Sequence, residues 1–476
     1  MKTRLNCGAG FQACSIELHD NGQTKNLGAI IMNPTPTNPT RRHFLQTAAA
    51  ASTLLTPYLL NAQQTQKSKF KTALIGSGWW GKNILREAIA SKRCDITSLC
   101  DVDGRILEQA QDLVNDQTGS SPKIYKDYRE LLEKDKPDIA IIASPDHWHA
   151  LQSIAALKAG AHVYVEKPTG HTVNESRAVV KAARDSGKVC QVGLHRRIGP
   201  HHVSAHKFYQ EGNVGEVGEI RCFVIGGGNG PERATNNAKP PESLDWDMWC
   251  GPAPLRPYNG RMHPGGWRNF LDYANGQLGD WGVHWLDQVQ WFTGEKYPKR
   301  IFSSAGRQIK GPPINDGTRM TTDAPDHQVV VYDFEKFTCT WENRQFAGTA
   351  TEKHKLGVYF YGTKGTLHVG WQDGWTFYPT QGNKTVHENP QLQQPDGHNI
   401  KLLWADFLGA IDEKRLPVAD IEPGHRATAM ALLGMLSWKA GRSITWDGEK
   451  EQIVGDPEAN GMLARAYRGP WQYPVV

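Results

Sequence analysis

The sequence predicts an α/β chain in two folded parts: a doubly wound parallel sheet, then an α+β region built on an antiparallel sheet. Three observations predict it. From Lys71 to Leu194 short apolar runs alternate with helical periodicity, the pattern of a parallel sheet with right-handed crossovers. From Arg300 to Pro379 strand-like runs follow one another through tight turns such as Gly362-Thr363-Lys364-Gly365. The length, 476 residues, is enough for two or three domains.

On this pattern the chain divides into an extension at 1–67, a dinucleotide-binding part at 68–192 and a second domain at 193–476. In the extension, Arg41 and Arg42 precede an Ala-rich, modestly apolar run at 44–60, and Ala62 offers a small residue for cleavage. A charged segment, an apolar segment and a small residue read as a signal peptide. The paired arginines favour the twin-arginine type, with Met32 as an alternative start; the other reading is a tail that contains Arg-Arg by chance. An exported, periplasmic protein is therefore expected.

In the second part, "TALIGSG" leads into the helix "GKNILREAIAS", "ITSLCDVD" into "RILEQAQDLVN", and "DIAIIASP" into "HWHALQSIAALKAG". "HVYVEKP" leads into "ESRAVVKAARDSG", and "VCQVGL" closes the series. Thr172 and Glu175 are spaced for a capping box ahead of that last helix. Past Gly193 a helix, "HHVSAHKFYQEG", precedes the strand "IRCFVIGG". The long stretch from Gly226 to Gly266 is rich in Gly, Pro, Asn and Trp, and a loop of that length is usually functional or disordered; its Trp content argues against disorder. The helix "DWGVHWLDQVQWF" comes next, then the strands, and two helices near 402–413 and 425–441 close the pattern.

Composition excludes several classes. The net charge is +5 with no long Lys/Arg run, so nucleic acid is not an expected partner. Outside the extension no run of about 18 apolar residues occurs, so no spanning helix is expected in the mature chain. Eight cysteines are scattered without a CxxC pair or zinc-ligand spacing, which reads as buried thiols and no metal site. Sixteen tryptophans suit a sugar site, where flat rings stack on sugar faces, or simply packing.

Gly76, Gly78 and Gly81 form GxGxxG between a strand and a helix, the context in which this fingerprint binds a dinucleotide. The first glycine makes the tight turn, the second admits the pyrophosphate, and the third lets helix meet strand. The helix N-terminus supplies free N–H groups for the diphosphate. Asp101, at the end of the next strand, can accept from a ribose 2′-OH and would repel a 2′-phosphate, which favours NAD; Arg105 nearby keeps NADP open. Trp79 and Trp80 are unusual inside the fingerprint, facing either the diphosphate or the substrate.

Oxidising an alcohol needs a base for the hydroxyl proton and a positive or donor group for the developing alkoxide. Lys167, in "VEKPTG" at the C-terminal edge of a strand, lies where doubly wound sheets bind ligands. Asp280 and His284 stand four apart on one face of a helix. "GLHRRIGPHH" sits at the domain junction.

With Gly76-Ser77-Gly78-Trp79-Trp80-Gly81, Ser144–His149 ("SPDHWH"), Glu166-Lys167-Pro168 and Asp280-x-x-x-His284 in this order, the chain after Ser68 resembles the glucose–fructose oxidoreductase / inositol dehydrogenase (Gfo/Idh/MocA) family, in its exported branch. The resemblance implies a Rossmann domain plus an α/β domain with a large, open, mostly antiparallel sheet. It implies Lys167 holding the reacting hydroxyl, His284 accepting or donating its proton, and Asp280 binding substrate or tuning that pair. Ser144, Pro145, His147 and His149 would lie along the nicotinamide ribose, with Glu166 and Lys167 beside the cofactor. Arg196 and Arg197 are candidate ligands of substrate hydroxyls, one of them an ion-pair partner in the fold. Trp267 and Trp281 would form part of a Trp-rich wall over the substrate. The activity implied is an NAD(P)-dependent oxidation of a sugar or polyol CH–OH; export to a space with little free NAD would require that the dinucleotide be tightly bound and recycled in place. A redox-neutral glycoside hydrolase that oxidises transiently and eliminates is the alternative, and a non-catalytic nucleotide-binding protein a third. The open sheet implies a homodimer or homotetramer.

Overall fold

The computed structural model describes residues 3–6, 15–20, 23–24 and 69–475, except 229, 349–351, 383 and 393–398. The chain separates into two compact units, Met1–Lys67 and Ser68–Val476. In the first, strands Thr3–Asn6, Ser15–Asp20 and Gln23–Thr24 pair in that order, antiparallel. Arg41, Arg42 and the apolar run after them lie outside the described residues.

The second unit opens with a six-stranded parallel sheet. Its strands are β1 (Phe70–Ile75), β2 (Cys94–Cys100), β3 (Lys123–Tyr125), β4 (Ile139–Ile142), β5 (His162–Val165) and β6 (Cys190–Val192), in spatial order β3-β2-β1-β4-β5-β6. Between them run α1 (Trp79–Ala90), α2 (Gly104–Thr118), α3 (Tyr128–Asp135), α4 (Asp146–Lys158) and α5 (Val173–Ser186). All four residues of β4 are buried, as expected of a central strand covered by helices on both faces. The strand order reverses between β1 and β4, which opens a crevice at their C-terminal ends. The capping box at α5 forms: Thr172 Oγ1 accepts from Glu175 N, and Glu175 Oε2 accepts from Thr172 N. Glu175 also receives Arg465 Nε and the Tyr467 hydroxyl, each at 2.8 Å, so the last segment of the chain is tied back to this helix.

The second sheet has ten strands. These are β7 (Val217–Ile225), β8 (Arg300–Gly306), β9 (His327–Asp333), β10 (Thr338–Arg344), β11 (Leu356–Gly362), β12 (Gly365–Gly370), β13 (Trp375–Pro379), β14 (Val386–Glu388), β15 (Ile444–Asp447) and β16 (Gln452–Ile453). They lie in the order β14-β13-β12-β11-β7-β10-β9-β8-β15-β16. Only the β7–β10 pair is parallel; the others are antiparallel. The sheet is thus open and mostly antiparallel.

Helices α6 (Pro200–Gln210), α7 (Val283–Thr293), α8 (Ile400–Glu413) and α9 (Ile421–Ala440) complete the unit. The long helix α9 is buried along most of its length and packs on α5, α7 and β8. Two glycines let it also lie close to β6 and β9: a Cβ on Gly424 would lie 2.4 Å from Val192, and one on Gly434 would lie 2.7 Å from the Tyr332 hydroxyl. The Trp-rich stretch is irregular yet packed, with Trp246, Trp249, Met262, Trp267, Phe270 and Tyr273 buried in a core of their own. The six described cysteines that follow residue 68 are buried free thiols. Among the described residues no helix is long and apolar enough to cross a membrane.

Candidate active site

The crevice at the β1–β4 reversal holds two adjoining cavities. The outer one, about 910 Å³, is bounded by Gly76, Gly78, Asp101, Ser144, Pro145 and the loop around Trp267. The inner one, about 810 Å³, is bounded by Lys167, Asp280, His284, Trp281 and Trp371. Trp79, Trp80, Ala143, Ser144, Trp267 and Arg268 border both. A ligand lying in the outer cavity can therefore present one end to the inner one.

The outer cavity fits a dinucleotide. Gly76 has φ +91°, and a Cβ there would lie 2.4 Å from Ser144 N, so only glycine turns here. A Cβ on Gly81 would lie 2.1 Å from Gly76 O, which is the close helix–strand contact of the fingerprint. Gly78 behaves differently: its Cβ would project into open space, with nothing within 4 Å. That open space faces the free N–H groups at the start of α1, where a diphosphate is held. Asp101 is fastened to the turn, Oδ2 accepting from Ser77 N at 2.7 Å and Oδ1 from Asp103 N at 3.0 Å. Burial pushes its carboxyl up, and these two N–H groups oppose the shift. Each oxygen keeps a lone pair for a ribose hydroxyl. Arg105 is engaged elsewhere, its Nη2 donating to Asp103 Oδ2 at 3.1 Å.

The inner cavity gathers the charged groups. Lys167 follows β5 and donates from Nζ to Asp280 Oδ1 at 2.5 Å and to Asp280 O at 3.0 Å; the Lys167–Pro168 peptide is cis. Asp280 does not cap a helix. It lies in a π-helical turn, Leu278–Gly282, that runs into α7, which carries His284. Such turns often occur at functional sites, and this one presents Asp280 and His284 to the same space. Arg268 Nε stands 3.4 Å from the same Asp280 oxygen. Burial alone would raise the Asp280 carboxyl, but Lys167 and Arg268 overcome it and hold the group well below the usual carboxylate range.

Two further carboxyls face Lys167 and behave in the opposite way. Burial pushes Asp146 up to about 8, against the pull of Lys167 and Arg268. Burial pushes Glu166 up to about 7, against Lys167 and Trp80. Near neutral pH the cavity thus holds a fixed anion, Asp280, beside two carboxyls poised to exchange protons, a separation typical of acid–base sites. Trp371 forms the opposite wall, its ring 4.9 Å from that of His284, 5.3 Å from His195 and 5.0 Å from Trp281.

Several sequence-predicted residues are placed elsewhere. His147 borders neither cavity; its ring nitrogens meet Trp249 O at 2.9 Å and Tyr273 O at 3.3 Å beneath the Trp-rich wall. His149 borders the inner cavity and is fixed between Pro168 O (2.6 Å) and Ser144 O (2.7 Å). Neither arginine of the pair reaches the substrate space. Arg196 is buried with its guanidinium 3.7 Å from the Trp371 ring centre, and Arg197 pairs with Asp287. The Arg196 guanidinium braces the Trp371 wall. Trp267 borders both cavities and Trp281 the inner one. Asp146, His195, Arg268 and Trp371 are the site residues that sequence reasoning missed. The first lies inside the quoted "SPDHWH" stretch, where only its burial by a distant loop sets it apart.

Comparison with known proteins follows the same lines. Residues 70–194 match the family described as "Oxidoreductase family, NAD-binding Rossmann fold", and residues 229–473 match "Oxidoreductase family, C-terminal alpha/beta domain". A D-glucoside 3-dehydrogenase of Escherichia coli K12 is 24% identical over 371 residues, 75% of this chain and 92% of that protein. A glycosyl hydrolase family 109 protein of Shewanella pealeana is 27% identical over 200 residues, 37% of this chain and 44% of that one. Among solved structures, a levoglucosan dehydrogenase bound to NADH and levoglucosan superimposes with TM-score 0.61 at 20% identity, covering 79% of this chain and 99% of the other. An aldose-aldose oxidoreductase of Caulobacter crescentus does so with TM-score 0.59 at 17% identity, with 79% and 99% covered. The chain belongs to the Gfo/Idh/MocA oxidoreductase family, with an NAD-binding Rossmann domain followed by the family's C-terminal α/β domain.

Proposed function

We propose that the protein is an NAD-dependent oxidoreductase acting on a CH–OH group of a sugar or glycoside. One observation carries this reading: the Lys167–Asp280 pair and His284 border a single cavity that opens onto the dinucleotide cleft. NAD bound in that cleft supplies the hydride acceptor and donor. The chain's residues do the rest. Lys167 donates to the reacting hydroxyl oxygen and stabilises it as it becomes an alkoxide. His284 takes the hydroxyl proton and returns it in the reverse direction. Asp280 orients Lys167 through its carboxylate and its backbone carbonyl. Trp281 and Trp371 offer faces to the sugar ring and exclude water. The dehydrogenase relatives support a carbohydrate substrate.

A second reading is favoured by the glycosyl hydrolase family 109 matches. In it the same groups oxidise a ring carbon, allow elimination of the aglycone and return the hydride, with no net redox change. The arginine pair and apolar run of the extension support export by a twin-arginine route, which would favour dinucleotide retained and recycled in place. Exposed Phe302 and Val329 on one face of the large sheet support a homodimer or homotetramer.

The test is an anaerobic panel of sugars and glycosides mixed with the purified, NAD-loaded protein. Reduced-nicotinamide absorbance that accumulates supports the oxidoreductase. Aglycone release from a nitrophenyl glycoside without net reduction selects the glycosidase. Neither response from any member of the panel would refute both.

A further inference from the structure

A second constellation lies on the other face of the large sheet, away from both cavities. His368, on β12, points opposite to its core-facing neighbours Leu367 and Val369, yet it is only 1% exposed. His354, just ahead of β11, stacks on it with ring centres 3.6 Å apart. Asp373, in the turn between β12 and β13, accepts from His354 Nδ1 through Oδ2 at 2.7 Å. One donor atom from each of the three residues lies within 4.8 Å of the others.

Three features mark this as more than a surface ion pair. The Nε2 atoms of His354 and His368 are both buried without a hydrogen-bond partner, a costly arrangement unless something else satisfies them. The backbone is also shaped around the donors. A Cβ on Gly357 would lie 2.5 Å from His368 Nε2, and one on Gly370 would lie 1.6 Å from Asp373 Oδ1. Glycine at both positions leaves room for the imidazole and the carboxylate. Finally, the cluster has an open side, since half of the Asp373 side chain is exposed.

We propose that His354, His368 and Asp373 form a binding site for one borderline divalent cation of the zinc type, which fixes the turn between β12 and β13. Two imidazoles and one carboxylate, with a fourth position open to water, are a zinc-compatible donor set. Zinc–ligand bonds of about 2.0–2.2 Å place tetrahedral ligand atoms roughly 3.4 Å apart. Parting the stacked rings and turning the half-exposed Asp373 carboxylate would bring the three donor atoms toward that spacing. The ligands come from the approach to β11, from β12 itself and from the turn after it, so no sequence spacing announces them. The consequence reaches the active site through the chain itself. The turn held by Asp373 begins at Gly370, and the next residue, Trp371, is the wall of the inner cavity.

The test uses untagged, EDTA-stripped full-length protein titrated with Zn²⁺ by calorimetry, with Co²⁺ as a spectroscopic stand-in. One ion per chain is expected, with visible ligand-field bands for cobalt and slower hydrogen exchange across residues 366–376 on zinc addition. His354→Gln and Asp373→Asn, both at partly or half exposed positions, should each weaken binding by at least roughly tenfold, the loss seen when even a ligand's outer partner is removed. Failure of the parent protein to bind zinc stoichiometrically would overturn the site, as would binding by both variants at parental strength. Stoichiometric binding without slower exchange at 366–376 would overturn its role in the turn.

Discussion

Replacing Lys167 by Met removes the charge at the centre of the inner cavity while keeping most of the side-chain volume. Lys167 and Asp280 are 13% and 19% exposed, and stranding one member of a buried pair costs about 3–5 kcal/mol. Arg268 remains 3.4 Å from Asp280, which brings the expected loss to the lower end, about 3 kcal/mol or somewhat less. The effect on chemistry should be of similar size. Loss of a positioned donor at the reacting oxygen removes on the order of 10²–10³ in rate. NAD affinity should stay close to the parent's, because Lys167 does not border the outer cavity. The assays are urea denaturation for stability, calorimetric titration with NAD, and single-turnover reduction of bound NAD by a reactive sugar. A variant that binds NAD and turns over at the parental rate would refute the role given to Lys167. A variant that loses NAD binding while remaining folded would refute the division of the crevice into two functions.

Three other outcomes are expected. Gly78→Ala should fold with parental stability but lose NAD binding, since its Cβ meets no protein atom, whereas Gly81→Ala should lower the melting temperature because its Cβ strikes Gly76 O at 2.1 Å; the paired thermal melts and titrations distinguish them. Asp146 titrates near 8 in the folded chain, above its unfolded value of about 3.9. The folded state therefore holds the extra proton between these values, and this group's contribution to stability falls as pH rises from about 4 to 8. Asp146→Asn should remove that fall, so the variant gains on the parent in denaturation midpoints measured toward pH 9. Trp371→Ala should raise KM for the sugar more than it lowers kcat, because it removes wall area rather than a proton-transfer group.

The parallel sheet was legible because its signals are local. β4 is an unbroken apolar run, the α5 capping box is spelled by Thr172 and Glu175, and Gly76 and Gly81 of the β1–α1 turn each answer a steric need. Lys167, Asp280 and His284 were legible for a related reason: each lies at a strand end or on a helix face whose direction the pattern fixes. The short elements β3 and α3 escaped notice, as did the parallel β7–β10 pairing. β7 is inserted between strands that come more than a hundred residues later, and nothing near Val217–Ile225 encodes its partners. Asp146 escaped for the same reason: its first-turn position reads as an ordinary helix start. Its raised pKa comes from burial, against the pull of Lys167 and Arg268, and that burial is set by segments outside its own helix. The expectation for Arg196 failed because adjacency to a site in sequence does not set side-chain direction; the guanidinium turns onto the far side of Trp371.

In the proposed reaction the dinucleotide cleft delivers its nicotinamide to the Lys167–His284 cavity. A crystal structure with NAD and a reactive sugar tests it most directly. The nicotinamide C4 should lie about 3–3.5 Å from the carbinol carbon, with that carbon's hydroxyl hydrogen-bonded to both Lys167 and His284. A nicotinamide ring lodged outside the inner cavity, with the sugar bound beyond reach of both side chains, would contradict it.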